Sequence, residues 1–215
     1  MELVRRNTNI PVPQPRYPQL EGWLIMDRIH GRSLEGCWNS LSIFMQFRIA
    51  CTMRCYVKQL RRVSGSIPGT PEGYIGGNLF DCNEWGPLKD ARHFRRLCEA
   101  CASSQWLNRM VRYTQHPTGV RPSSPVSPRD WSLSFAHGDL HVGNLMLSND
   151  NVLWVVDWGS SGFYPPWIET AYMESIADTQ PKSWNRWRWF MVGRNPDHVR
   201  RFWEYMFTTL ARLAS

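Results

Sequence analysis

The sequence predicts an α+β fold that is mostly helical, and three observations carry that prediction. Two long segments, 42–63 and 90–112, repeat apolar residues at helical spacing. Two short apolar runs, Leu145–Leu147 and Val152–Val156, flank Ser-Asn-Asp-Asn and read as a β-hairpin. A chain of 215 residues, 42% of them hydrophobic and 20% charged, can bury one core and is too short for two full ones. That composition excludes a disordered tail, a collagen and a small disulfide scaffold.

Taken in order, residues 1–9 read as a helical fragment ending at Asn7-Thr8-Asn9. Ile10 to Pro15 must then be extended, because alternate prolines forbid helix. Trp23–Ile29 is a short strand-like run, followed by a turn over His30–Leu34 in which Ser33 is placed to cap a helix. The segment Ser42–Val63 predicts a long core helix with Ile43, Phe47, Ala50, Met53 or Arg54, Val57 and Leu60 on one face. Arg61 and Arg62 supply positive charge at its C-terminal end. Residues 64–90, rich in Gly, Pro and Asn, interrupt the pattern, and Asp90–Arg112 restores it through Phe94, Leu97, Ala100 or Cys101 and Leu107. His116–Arg129 reads as an exposed Pro/Ser loop tolerant of insertions. Beyond the hairpin, Trp184, Trp187 and Met191 share a helical face, which favours a core or pocket wall over a nucleic-acid platform.

The net charge of +7 comes almost wholly from arginine, since lysine occurs only at 58, 89 and 182. With no run of five basic residues and no glycine-rich aromatic signature, a nucleic-acid partner is not expected. The longest apolar stretch near the middle, Val152–Val156, is far too short to span a bilayer, and the N-terminus has no apolar signal segment. A soluble, cytoplasmic protein with no membrane partner is expected, and nothing in the sequence speaks to its oligomeric state. Cys51/Cys55 and Cys98/Cys101 could form a zinc set, but each pair sits in an amphipathic helix where cysteine is an ordinary core residue.

The chemistry concentrates in residues 135–159. With the hairpin turn near Asp150, Asn144 enters the first strand beside the point where Asp157 leaves the second. An amide oxygen and a carboxylate at one end of a hairpin are hard ligands suited to magnesium, and Asp139 lies on the preceding loop. A carboxylate there can accept a proton from an attacking hydroxyl while magnesium neutralises phosphate oxygens. Residue by residue, a polar hairpin that merely satisfies its own turns explains the same groups. His137, Asp139 and His141 alternate as metal ligands on a strand would, but Gly138 and Gly143 argue for an irregular loop.

As a set, His137-Gly138-Asp139, then Asn144, then an apolar hairpin ending in Asp157-Trp158-Gly159 resembles the aminoglycoside phosphotransferase-like family of kinase-fold enzymes. Thr8–Pro13, Ile25–Gly31, Gly86-Pro87-Leu88 and Trp158–Pro165 look like its fungal branch. The resemblance covers most of the chain and weakens after about residue 178. It implies a protein-kinase-like C-terminal lobe with a catalytic β-hairpin and a short N-terminal strand pair. By it, residues 1–30 are a remnant of the N-terminal lobe and hinge, and 31–215 are the helical lobe. Asp139 would be the catalytic base, His137 the scaffold position of its loop, and Asn144 and Asp157 the magnesium ligands. ATP's adenine edge would meet the backbone around Met26, Asp27 and Ile29.

The chain departs from the family where the nucleotide phosphates are held. No glycine-rich motif precedes residue 10, and the first lysine, Lys58, lies inside the long predicted helix. Glu2 is the one candidate near the N-terminus for the glutamate that partners the missing lysine. Beyond residue 159, seven Lys/Arg face five Asp/Glu, which disfavours a polycationic aminoglycoside as acceptor. The expected activity is ATP- and magnesium-dependent phosphoryl transfer to a hydroxyl of a small molecule. The alternatives are a truncated, kinase-derived protein whose cleft serves nucleotide-independent chemistry or ligand binding, and a non-catalytic interaction protein.

Overall fold

Proline and glycine placement divides the chain into short strands and longer helices, and the computed structural model follows that division. It describes residues 1–16, 24–80, 84–112, 122–125 and 127–213. Helix α1 spans Glu2–Asn7 and is followed by an extended run in which Pro11 O accepts the Val155 amide at 3.1 Å. Val4, Ile10 and Val12 are buried in the same core as the hairpin, so this segment is part of the main body. Strands β1, Pro15–Arg16, and β2, Ile25–Met26, form an antiparallel pair. The strand-like run is therefore shorter than its apolar composition suggests; Trp23 lies outside the described residues.

The turn expected at residues 30–34 is instead strand β3, Gly31–Ser33, leading directly into the one-turn helix α2, Leu34–Cys37. Strand β3 pairs with β5, Leu145–Ser148, and β5 with β6, Leu153–Val155, in an antiparallel sheet of order β3-β5-β6. Gly31 is required there, since a Cβ would lie 2.3 Å from Leu147 O. Ser33 caps α2 by accepting the Glu35 amide at 3.3 Å, as its position predicts.

Helix α3 spans Ile43–Leu60, and Ser42 Oγ accepts the Met45 amide at 3.3 Å as its N-cap. Its buried face is Gln46, Ile49, Ala50, Met53, Tyr56, Val57 and Leu60. Ile43 and Phe47, expected inside, are exposed. Gln46 takes the inner position because its amide donates to Trp38 O at 3.2 Å, a use that an apolar pattern cannot signal. Helix α4, Ala91–Arg112, packs on the C-terminal helix α7, Asp197–Leu213, and buries Phe94, Cys98, Cys101, Ala102 and Gln105 while Leu107 faces outward. Cys51 and Cys55 lie on α3, away from the inner face, and Cys98 and Cys101 in the α4 core. The predicted Pro/Ser loop falls mostly outside the described residues, apart from 122–125 and a turn over Pro128–Trp131 that Ser127 and Asp130 close as a capping box.

Strand β4, Ser134–Ala136, pairs antiparallel with β7, Gly162–Tyr164, so the segment between them leaves and returns at one place. Helices α5, Trp167–Ser175, and α6, Lys182–Val192, complete the lobe. Trp184 and Met191 are buried, and Trp184 meets Trp38 edge-on at 5.1 Å, which makes that face core as expected. Among the described residues no helix is long and apolar enough to cross a membrane.

Candidate active site

The β4–β7 ladder delivers residues 137–161 as one excursion, and its first residues cannot be helical or extended. Gly138 has φ +79°, and a Cβ there would meet Ser160 O at 2.4 Å. The chain then makes a short turn over Val142–Asn144, capped by His141, whose Nδ1 accepts the Gly143 amide at 3.0 Å. Leu145 pairs with Val155, and Val156 N donates to Asn144 O at 3.0 Å. Asn144 and Val156 thus face each other across the hairpin mouth, with Asp157 one residue beyond, close to the register expected. Ser148, Asp150 and Asn151 form the turn, and Asn151 adopts φ 62°.

Asp139 is buried and fully engaged. Its Oδ2 accepts from Asn78 Nδ2 at 2.7 Å and from Asn144 Nδ2 at 2.9 Å. Its Oδ1 accepts from the Tyr172 hydroxyl at 2.7 Å, with His141 Nε2 at 3.5 Å. Burial would raise this carboxyl, but the donors from His141, Tyr172 and Asn78 outweigh it and hold the group well below the usual carboxylate range. The result is a carboxylate that stays ionised inside the protein, aligned from both oxygens.

His137 serves as a strut. Its Nε2–H donates to Val156 O at 3.0 Å, and its Nδ1 accepts the Asp139 amide at 3.2 Å. Burial lowers its pKa to about 4, so the ring is neutral and ties the loop to the second hairpin strand. With both nitrogens committed, it is not part of a His137–Asp139–His141 metal set. Behind it, Glu169 Oε2 accepts the amides of His137 at 2.7 Å and Gly138 at 3.2 Å. Burial pushes Glu169 up to about 7 despite those amides and the nearby Arg61 guanidinium. Arg61 itself donates through Nη2 to Pro166 O, Thr170 Oγ1 and Val192 O.

At the mouth, Asn144 spends Nδ2 on Asp139 O and Oδ2, both at 2.9 Å, which turns its Oδ1 the other way. Asp157 is exposed, adopts φ 58°, and receives the Gly159 amide at 3.4 Å. These are two hard oxygen donors from adjoining ends of one hairpin. Met26, Asp27 and Ile29 lie on or just beyond β2, on the segment that runs into β3 and so onto β5. Asp27 is held there by its amide to Gln14 O at 3.0 Å and by Arg16 Nε at 2.6 Å. Glu2 pairs with Arg6 Nε at 2.8 Å on the exposed face of α1.

The sequence reading missed Asn78, Tyr172, Glu169 and Arg61. Glu169 carries a usable signal, a single acid inside the apolar run Trp167–Met173 that follows Pro165-Pro166, and Tyr172 stands one turn further on the same face. Asn78 has none, because it arrives from an irregular loop.

In structure the chain is similar to the apo form of a thermostable mutant of the aminoglycoside phosphotransferase APH(4)-Ia, with 14% sequence identity, a TM-score of 0.51, and coverage of 99% of this chain and 75% of that one. It is one of 48 solved chains that match, and the likeness at this identity is one of kinase-like fold. No curated protein matches in sequence. A family model described as the phosphotransferase enzyme family matches residues 2–202. The match runs through the loop, the hairpin and the buried supports behind them, and the chain belongs to the phosphotransferase enzyme family.

Proposed function

We propose that the protein transfers a phosphoryl group from ATP to a hydroxyl of a small molecule, with Asp139 as the group that orients and finally accepts the proton of that hydroxyl. The observation that carries this reading is the state of Asp139: a buried carboxylate held ionised by His141, Tyr172 and Asn78 beside the hairpin mouth. So loaded, it is a weak base. It aligns the acceptor oxygen through the approach to the transition state and takes the proton late, which suits a reaction in which positioning and charge do most of the work.

The donor set at the mouth fits magnesium. Asn144 Oδ1 and the Asp157 carboxylate are hard oxygens, and magnesium is commonly held by one or two such protein groups together with substrate phosphates. Bound there, it would neutralise charge on the transferred group. His137 orients the loop and touches no reacting atom. The nucleotide's base would lie along Met26, Asp27 and Ile29, the segment that β3 ties to the hairpin. The residues present do not supply the family's phosphate-holding lysine: Lys58 lies on the exposed side of α3, and Lys89 and Lys182 are exposed at the starts of other helices. Among the residues given, the charge of the transferred group is met by the metal ligands, with Asp139 aligning the acceptor. An excess of cations over acids beyond residue 159 points to an uncharged or anionic acceptor.

The test is a screen of hydroxylated small molecules with labelled ATP and magnesium. A phosphorylated product whose formation drops by about 10²–10⁴-fold in Asp139→Asn is expected. Product formation unchanged in that variant would overturn the assignment.

A further inference from the structure

Helices α3 and α6 pack against each other, and their shared outer face carries an unusual combination of groups. Phe44 is 73% exposed, Ile43 60%, Phe47 44% and Phe190 36%. The four form one surface. Ile43 and Phe44 lie one turn before Phe47 on α3, and Phe47 meets Trp187 and Phe190 of α6 with ring centroids 5.4 and 6.0 Å apart. Arg54 closes the patch, with its guanidinium 4.9 Å over the Phe190 ring and donating to Phe190 O at 2.5 Å. Contiguous exposed aromatic and aliphatic groups of this kind mark an interaction surface.

Charge says what covers it. Residues 36–71 contain no Asp or Glu, and neither do residues 179–196. These two stretches build α3 and α6 and carry Arg48, Arg54, Lys58, Lys182, Arg186 and Arg188. The acids that approach α6, Glu174 and Asp178, interact with Arg188. The surface around Phe44 and Phe47 is thus apolar at its centre and cationic at its margin, with the Arg54 guanidinium lying over the Phe190 ring. Tryptophan, phenylalanine and arginine together are the side chains that settle at the boundary between lipid headgroups and acyl chains. A nucleic acid would use the cations and the rings but has no use for Ile43, or for a phenylalanine that projects into solvent at the end of a helix.

We propose that the α3–α6 face docks on an anionic lipid bilayer, with Ile43, Phe44, Phe47 and Phe190 entering the interfacial layer and the surrounding arginines meeting acidic headgroups. Lying on a membrane in this way requires no spanning helix. The proposal is independent of the catalytic reading, because none of Ile43, Phe44, Phe47 and Phe190 belongs to the hairpin or its supports.

Flotation of the full chain with phosphatidylcholine vesicles, and with vesicles of equimolar phosphatidylcholine and phosphatidylserine, tests it. Binding to the phosphatidylserine vesicles alone, weakened by salt and reduced at least about tenfold in Phe44→Glu, is expected. Leu107→Glu, at an exposed apolar position on α4, should bind as the unmodified chain does. No binding to either vesicle, or binding untouched by Phe44→Glu, overturns the proposal. So does a dimer, or a complex with single-stranded RNA, that Phe44→Glu dissociates while vesicles are not bound.

Discussion

The loop around Asp139 and the segment around Asp27 are built on opposite terms. Around Asp139 nearly every polar group is buried and answered: His137 spans from the Asp139 amide to Val156 O, Asn144 reaches both the carbonyl and the carboxylate of Asp139, and Glu169 holds two loop amides from behind. Around Asp27 the strands are two residues long, Leu24 and Ile25 are exposed, and the main side-chain tie is a surface ion pair to Arg16. A segment of the first kind holds its geometry through many buried hydrogen bonds, whereas one of the second kind is held by few. On the proposed function, the chemical end of the site is thus prepared and the end proposed for the nucleotide base is sparse.

The largest effect on the loop is expected at Glu169. Replacing it by Ala leaves the His137 and Gly138 amides buried without an acceptor and Arg61 without its nearby negative charge, and a loss of about 3–5 kcal/mol in unfolding free energy is expected by denaturant titration. A loss under about 1 kcal/mol would show that the loop is not held from behind.

Acidity sharpens the same point. Glu169 is raised in the folded state from 4.5 to about 7. The native form therefore keeps a proton that the unfolded chain gives up, and the stability this contributes is lost as pH rises through that window. His137 is lowered from 6.5 to about 4. The unfolded chain binds its proton first, so stability rises with pH through that range. The two oppose each other, and a shallow stability profile between those limits is predicted for the unmodified protein. In Glu169→Gln the contribution opposing His137 is removed, and thermal or chemical unfolding across pH should show stability climbing more steeply, by at most about 1.4 kcal/mol per pH unit. A profile as shallow as that of the unmodified chain would contradict the assignment.

At the hinge the smallest effect is expected. Arg16→Ala removes a pair whose side chains are 55% and 41% exposed, and unfolding free energy should move by no more than about 1 kcal/mol. A larger change would mean that this segment is as fixed as the loop.

How far the sequence revealed each region follows from the same physics. The hairpin register was legible because Leu145, Leu147, Leu153 and Val155 alternate around a turn-forming tetrad, and that register carried Asn144 and Asp157 to one end. Helices α3 and α4 were legible in extent but not wholly in facing: Gln46 and Gln105 are inside, while Ile43, Phe47 and Leu107 are outside. Periodicity counts apolar residues and is blind to an amide that finds buried partners. Strand β3 was hidden because Gly31-Arg32-Ser33 has turn composition, and only pairing with Leu147 makes it a strand. Asn78 and Arg61 reach the loop and its supports from distant parts of the chain, and no local pattern announces contacts of that kind.

On the proposed function, Asn144 and Asp157 at the hairpin mouth would hold a metal-bound nucleotide beside Asp139. Calorimetric titration of ATP into the 215-residue chain, with and without magnesium and with Asp157→Ala in parallel, tests it most directly. Binding that requires magnesium and disappears in the variant is the predicted result. Binding that is indifferent to magnesium or to Asp157→Ala, or no binding at about 1 mM ATP, would contradict it.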